Sequence, residues 1–170
     1  MSDASGTFSW GHININVANL ERSIAFYERL GFETFIPGIP YLGLASDQEP
    51  KTLADESARA LGLAPGTRGR ACIMQLDAGF PKIDLTELDV ATQAKPVGNA
   101  DLGIVRLCLV SRDLQADYDR LTEQGIRFLS PPQSAEGGLA DIAICVDPDG
   151  TLIELLQVHL EKWSSLASRA

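Results

Sequence analysis

Histidine and cysteine are scarce in this chain: of 170 residues two are histidine, His12 and His159, and three are cysteine, Cys72, Cys108 and Cys145. The cysteine count is odd, and each cysteine sits inside an apolar run. That argues against a disulfide framework or a zinc cluster, and for buried free thiols in a reducing compartment. A basic cluster is also missing. Lys and Arg are scattered singly, and the formal net charge is −9, so long-range attraction to nucleic acid or to an anionic membrane surface is excluded. No apolar run approaches the ~18 residues of a membrane span. The opening segment MSDASGTFSW has no apolar signal core, and the expected location is cytoplasmic. What is present is an ordinary globular balance, 45% hydrophobic and 22% charged. The length suits one large domain or two small fused modules.

The chain repeats itself. GHININVANLERSIAFYERLGF (Gly11 to Phe32) and LGIVRLCLVSRDLQADYDRLTEQGI (Leu102 to Ile126) align without a gap. His12 falls on Arg106, Asn19 on Asp113, Leu20 on Leu114, Gly31 on Gly125 and Phe32 on Ile126. Each copy is an alternating strand, then Asn or Asp as N-cap, then a helix of about three turns closed by Gly, which takes a left-handed backbone at little cost. Leu20, Ile24, Tyr27 and Leu30 recur near helical period and are expected to face a sheet. Later segments match as well. RACIMQLD (Arg70 to Asp77) resembles DIAICVD (Asp141 to Asp147), and each leads through a turn to a last strand, KIDLTEL or TLIELLQ. Matching these strands by their last acids pairs Glu87 with Glu154. Second strands are expected at Glu33 to Ile36 and Arg127 to Leu129. The expected division is a first βαβββ module over residues 1–98, with an insertion at about 37–69, and a second module with a C-terminal tail over 99–170. The insertion carries a short helix, Leu53 to Leu61, and reads as a surface excursion, a dimer contact or a lid. ATQAKPVGNADLG is the linker.

Alternation puts Trp10, His12, Asn14 and Asn16 on one face of the first strand and Ile13, Ile15 and Val17 on the other. The aliphatic face belongs under the helix, which leaves an imidazole and two amides to line solvent or a cavity. Arg106 shares the equivalent face of the matching strand. Glu87 and Glu154 stand among aliphatic neighbours, and a carboxylate buried there needs a partner. Gln75 is a further candidate for lining a pocket.

These segments, with the closing DPDGTLIELLQ, resemble the glyoxalase/bleomycin-resistance/dioxygenase (vicinal oxygen chelate) superfamily over nearly the whole chain. The resemblance implies an α+β fold of two βαβββ modules forming a cupped mixed sheet, with helices outside and one small-molecule site between the halves. It implies a homodimer. It also implies four inward positions for a divalent metal that chelates two substrate oxygens; carried over by position these are His12, Glu87, Arg106 and Glu154. Three suit Ni, Co, Zn, Mn or Fe. Arg106 does not, since a guanidinium has no lone pair to give.

Three arrangements follow from Arg106. His12, Glu87 and Glu154 could bind metal as a facial set, with Arg106 serving the substrate. Arg106 could replace the metal by pairing with Glu87 and Glu154. Or the register could be off by a residue or two; His159, after the last strand, is a poor substitute ligand. The functional expectations are a metal-dependent lyase, isomerase or epimerase working through an enediolate, with Glu87 or Glu154 shuttling the proton; a metal-free antibiotic-binding or resistance protein; and, with a single well-placed His, less readily an extradiol-type dioxygenase. In each, Arg106, Asn14, Asn16, Trp10 and Gln75 are candidate contacts to the small molecule.

Overall fold

The computed structural model describes residues 8–90 and 96–167; residues 91–95 of the expected linker and the first seven residues lie outside that description. The chain divides into two compact units, Met1–Thr92 and Gln93–Ala170. Each carries its own mixed sheet, so the protein is α+β.

In the first unit β1 (His12–Asn16) leads into α1 (Leu20–Arg29) and β2 (Glu33–Ile36). A stretch of short elements follows: β3 (Gly38–Ile39), a 3-10 turn at Pro40–Leu42, β4 (Leu44–Ala45), β5 (Lys51–Thr52) and α2 (Asp55–Ala60). Two long strands, β6 (Arg68–Gln75) and β7 (Lys82–Leu88), close the unit. The sheet order is β1-β7-β6-β2, with β5 also on β6. Only β1 and β7 run parallel in it. Asn19 accepts from the Arg22 N–H at 2.8 Å, and Gly31 closes the helix at φ 97°, as the sequence grammar requires. The buried stripe of α1 is Leu20, Ser23, Phe26 and Tyr27, while Ile24 and Leu30 are half-buried. The stripe is rotated from the expected one toward Ser23 and Phe26, while Tyr27, common to both, packs edge-to-face against Phe26 and Phe32.

Side chains of β6 divide cleanly between the two faces. Arg70, Cys72 and Met74 pair with Glu87, Leu85 and Ile83 on the face that α1 covers. Ala71 and Ile73 lie on the other, and there the insertion folds down. Ile39, Leu44, Leu53 and Ala58 form a core cluster with Ala71, flanked by Leu42, Leu63, Ile73 and Leu88. Within the insertion Gly38 allows β3 and β4 to approach closely, since a Cβ there would stand 2.5 Å from the Leu44 carbonyl oxygen. The insertion is therefore a packed layer on the sheet, with a helix shorter than the expected Leu53 to Leu61.

The second unit repeats the plan: β8 (Arg106–Val110), α3 (Leu114–Glu123), β9 (Arg127–Phe128), β10 (Gln133–Ser134), β11 (Ala140–Val146), β12 (Leu152–Val158) and a terminal α4 (Leu160–Ala167). The order is β10-β11-β12-β8, with β9 on β11. Asp113 caps α3 through the Ala116 N–H at 3.0 Å. Asp147 fixes the last hairpin by accepting from the Asp149 and Thr151 N–H groups. Burial pushes the Cys72 and Cys145 thiols up to about 12. Cys108 is exposed, contrary to the expectation of three buried thiols, because its strand is the sheet edge and its side chain points away from α3. Among the described residues no helix is long and apolar enough to cross a membrane.

Candidate functional site

The parallel register of β1 and β7 sets His12 opposite Lys82, Asn14 opposite Asp84 and Asn16 opposite Thr86. Paired residues share a face, so these six side chains form one polar floor, on the side of the sheet away from α1. Thr86 Oγ1 donates to Asn14 Oδ1 at 2.8 Å, and Asn14 Nδ2 donates to Asn16 Oδ1 at 3.0 Å. Asp84 lies at the centre and is 1% exposed. Its Oδ2 is 3.5 Å from His12 Nε2 and accepts from the Tyr41 hydroxyl at 3.4 Å. Its Oδ1 has no hydrogen-bond partner. Burial pushes the Asp84 carboxyl up, against a smaller opposing pull from the His12 charge and the Tyr41 hydroxyl. Burial, and then the Asp84 charge, push the Tyr41 phenol up.

Gln75 is on the same face but is committed. It donates to Glu33 at 2.7 Å and accepts from Lys82 Nζ at 2.8 Å. Lys82 also donates to the Asp77 carbonyl at 2.8 Å and lies over the Phe35 and Phe80 rings at 5.0 and 5.2 Å. Trp10 is 73% exposed just ahead of β1.

Glu87 requires a correction. It belongs to the opposite face of β7, where its Oε2 accepts from the Leu20 N–H at 2.6 Å and from Arg70 at 2.8 Å. Arg70 is shared with Glu21. Glu87 thus satisfies an open donor at the start of α1, and neither the ligand nor the proton-shuttle role expected of it has His12 within the same face. In the second unit Gln157 makes the same contact to the Leu114 N–H at 2.8 Å. The repeat therefore pairs Glu87 with Gln157, and Asp84 with Glu154. The strand pairings agree: Lys82 lies opposite His12 as Leu152 lies opposite Arg106. A signal for this was present in the sequence, because Ile83-Asp84-Leu85 matches Ile153-Glu154-Leu155 better than the later acid does.

In the second unit Arg106 Nε donates to Glu154 Oε2 at 2.5 Å, and its Nη1 to Asn99 Oδ1 at 3.0 Å. Arg106 thus makes half of the expected carboxylate clamp, with Glu154 and without Glu87. His159 sits past β12 and pairs with Asp141 at 2.8 Å. Among the described residues no three His, Cys, Asp or Glu side chains are grouped to hold a metal. Of the three ligands expected, Glu87 faces away and Glu154 is neutralised by a guanidinium. Only His12 remains, beside Asp84, a donor set that does not fit a four-position metal centre.

The geometry defines a two-unit βαβββ protein with a polar floor on its first sheet. The sequence profile of the Glyoxalase/Bleomycin resistance protein/Dioxygenase superfamily matches residues 9–155, and the chain belongs to that superfamily. It is 26% identical over 163 residues to a lactoylglutathione lyase of Pseudomonas aeruginosa, covering 90% of this chain and 84% of that protein. Among solved structures it is similar to a glyoxalase family protein from Bacillus cereus, with a TM-score of 0.71 at 18% identity over 93% of this chain and 99% of that one. The trypanothione-dependent glyoxalase I of Leishmania major gives a TM-score of 0.59 at 20% identity, with 95% of each chain covered.

Proposed function

We propose that this chain is a small-molecule-binding protein that seats its ligand on the polar floor of the first sheet, at His12 and Asp84, without a four-donor metal centre. One observation carries the reading: at the fourth expected metal position stands Arg106, and it occupies the carboxylate of Glu154. A cation placed there would meet a guanidinium instead of a lone pair. Asn14, Asn16 and Trp10 are the side chains open to contact the ligand from the first strand. The cytoplasm and a homodimer complete the proposal.

A metal-assisted lyase or isomerase is the second reading, favoured by the likeness to the lactoylglutathione lyase. His12 and Asp84 would then be the residues that hold the ion. Elemental analysis of protein purified without a histidine tag, after incubation with Ni, Co, Mn, Zn and Fe(II), separates the two. Substoichiometric metal, below about a tenth of an equivalent per chain, is expected, because so few donors converge. About one equivalent, lost in His12→Ala, would establish the second reading instead.

A further inference from the structure

Comparison of the two units isolates one incomplete position. In the second, the acid of the last strand, Glu154, is met at 2.5 Å by the guanidinium of Arg106. In the first, the equivalent acid is Asp84 and the residue equivalent to Arg106 is His12, whose Nε2 stops 3.5 Å short. The Tyr41 hydroxyl is a second donor to the same oxygen, at 3.4 Å. Both distances lie at the far limit of hydrogen bonding, and the remaining oxygen has no partner. Two other buried side-chain polar atoms share that state among the described residues, Ser23 Oγ and Arg70 Nε, and both lie on the α1 side of the sheet. Asp84 is therefore a carboxylate withdrawn from water without a short donor, an arrangement that costs free energy until a donor is supplied.

We propose, resting on the binding reading above, that Asp84 anchors a hydrogen-bond donor group of the ligand, an ammonium or a hydroxyl, in the place that the Tyr41 hydroxyl now holds. Tyr41 comes from the 3-10 turn of the insertion and is 64% exposed. Its hydroxyl can yield by side-chain rotation, while its ring offers a face to the body of the ligand. Lys82 and Glu33 do not compete, because Gln75 and the Asp77 carbonyl engage them. A carboxylate or phosphate in that place would add an acceptor and a like charge to a buried acid, so acceptor-only ligands are rejected.

The test is an NMR titration of 15N-labelled full-length protein at pH 7 with three probes that share one aryl body: 2-phenylethylamine, 2-phenylethanol and phenylacetate. The amine or the alcohol shifts the amides of residues 12–16 and 82–86, and phenylacetate does not. A response to the amine alone assigns an ammonium; an equal response to the alcohol assigns a hydroxyl. Asp84→Asn weakens binding by about tenfold or more, the scale of a lost charge-assisted hydrogen bond. Tyr41→Phe removes the competing hydroxyl and binds more tightly. Phenylacetate binding as well at the same amides, unchanged affinity in Asp84→Asn, or weaker binding in Tyr41→Phe overturns the donor assignment and leaves the binding reading standing. Failure of all three probes to shift those amides overturns both.

Discussion

A carboxylate shut away from water prefers its neutral form, and burial biases Asp84 toward it. Burial raises its folded-state pKa from the ordinary aspartate value, against a smaller lowering by His12 and the Tyr41 hydroxyl. The folded protein therefore keeps the proton to higher pH than the unfolded chain, and stability falls as pH rises through the window between the two values. Below that window both states are protonated and the penalty vanishes. Asp84→Asn, which keeps the shape and removes the charge, is expected to raise stability at pH 7 by about 1 kcal/mol and to lose the gain at acid pH. Thermal melts of both proteins from about pH 3, below the ordinary aspartate value of ~3.9, to about pH 8 would show the curves converging at the acid end. A variant less stable than wild type at pH 7 would mean that Asp84 already has an adequate donor. Glu87, three residues along the same strand, has the opposite character. It is engaged by a backbone N–H and by Arg70, so Glu87→Ala is expected to cost about 1–2 kcal/mol while leaving the floor and its binding unchanged. Loss of probe binding without loss of stability would restore Glu87 to the site.

At the level of elements, the starts of α1 and α3 are each held twice: once by a local side chain, Asn19 or Asp113, and once by a side chain from the last strand of the unit, Glu87 or Gln157. Removal of the distant cap should weaken both units alike. Gln157→Ala is accordingly expected to cost about 1 kcal/mol and to speed amide exchange in the first turn of α3, as Glu87→Ala does in α1; no change in exchange at Leu114 to Ala116 would sink this account. The local cap was legible in the sequence because Asn or Asp, helix and Gly lie within one continuous segment. So were the long strands, which alternate, and the second strand Glu33–Ile36, whose bounds the structure reproduces. The distant cap was not legible. KIDLTEL carries two acids on opposite faces, and the turn before it, residues 76–81, is longer than its counterpart at 147–151. Matching the later acid put Glu87 on the wrong face. The match of Ile83-Asp84-Leu85 to Ile153-Glu154-Leu155 hinted at the exchange of roles between Asp84 and Glu87, and strand pairing, a long-range property, decides it. Tyr41 was invisible for a related reason: nothing local to an insertion says which face of which strand it will cover.

For the molecule as a whole, the insertion decides what kind of site the first unit can have. A lid would open at lower free energy than the sheet beneath it, because few buried contacts would hold it. The residues here argue for a fixed wall. Ile39 and Ala71 are fully buried, and Leu44, Leu53 and Ala58 nearly so. The backbone is tied at Ser46 to Pro37, at Leu53 to Thr67 and at Leu63 to Ala58. Removing this layer would uncover Ala71, Ile73 and Leu88 together with the carboxylate of Asp84, so the insertion and the sheet should unfold as one. Native-state hydrogen exchange is expected to give the amides of Ser46, Leu53 and Leu63 opening free energies within about 1 kcal/mol of those in β6 and β7, well above the fraying limit near zero. Ile39→Ala, which leaves a cavity between the layers, should lower both sets together by about 2–4 kcal/mol. If the insertion amides instead exchange through a separate, cheaper opening, the layer moves independently of the sheet. Access to Asp84 would then be gated by the whole insertion and not by rotation of Tyr41 alone.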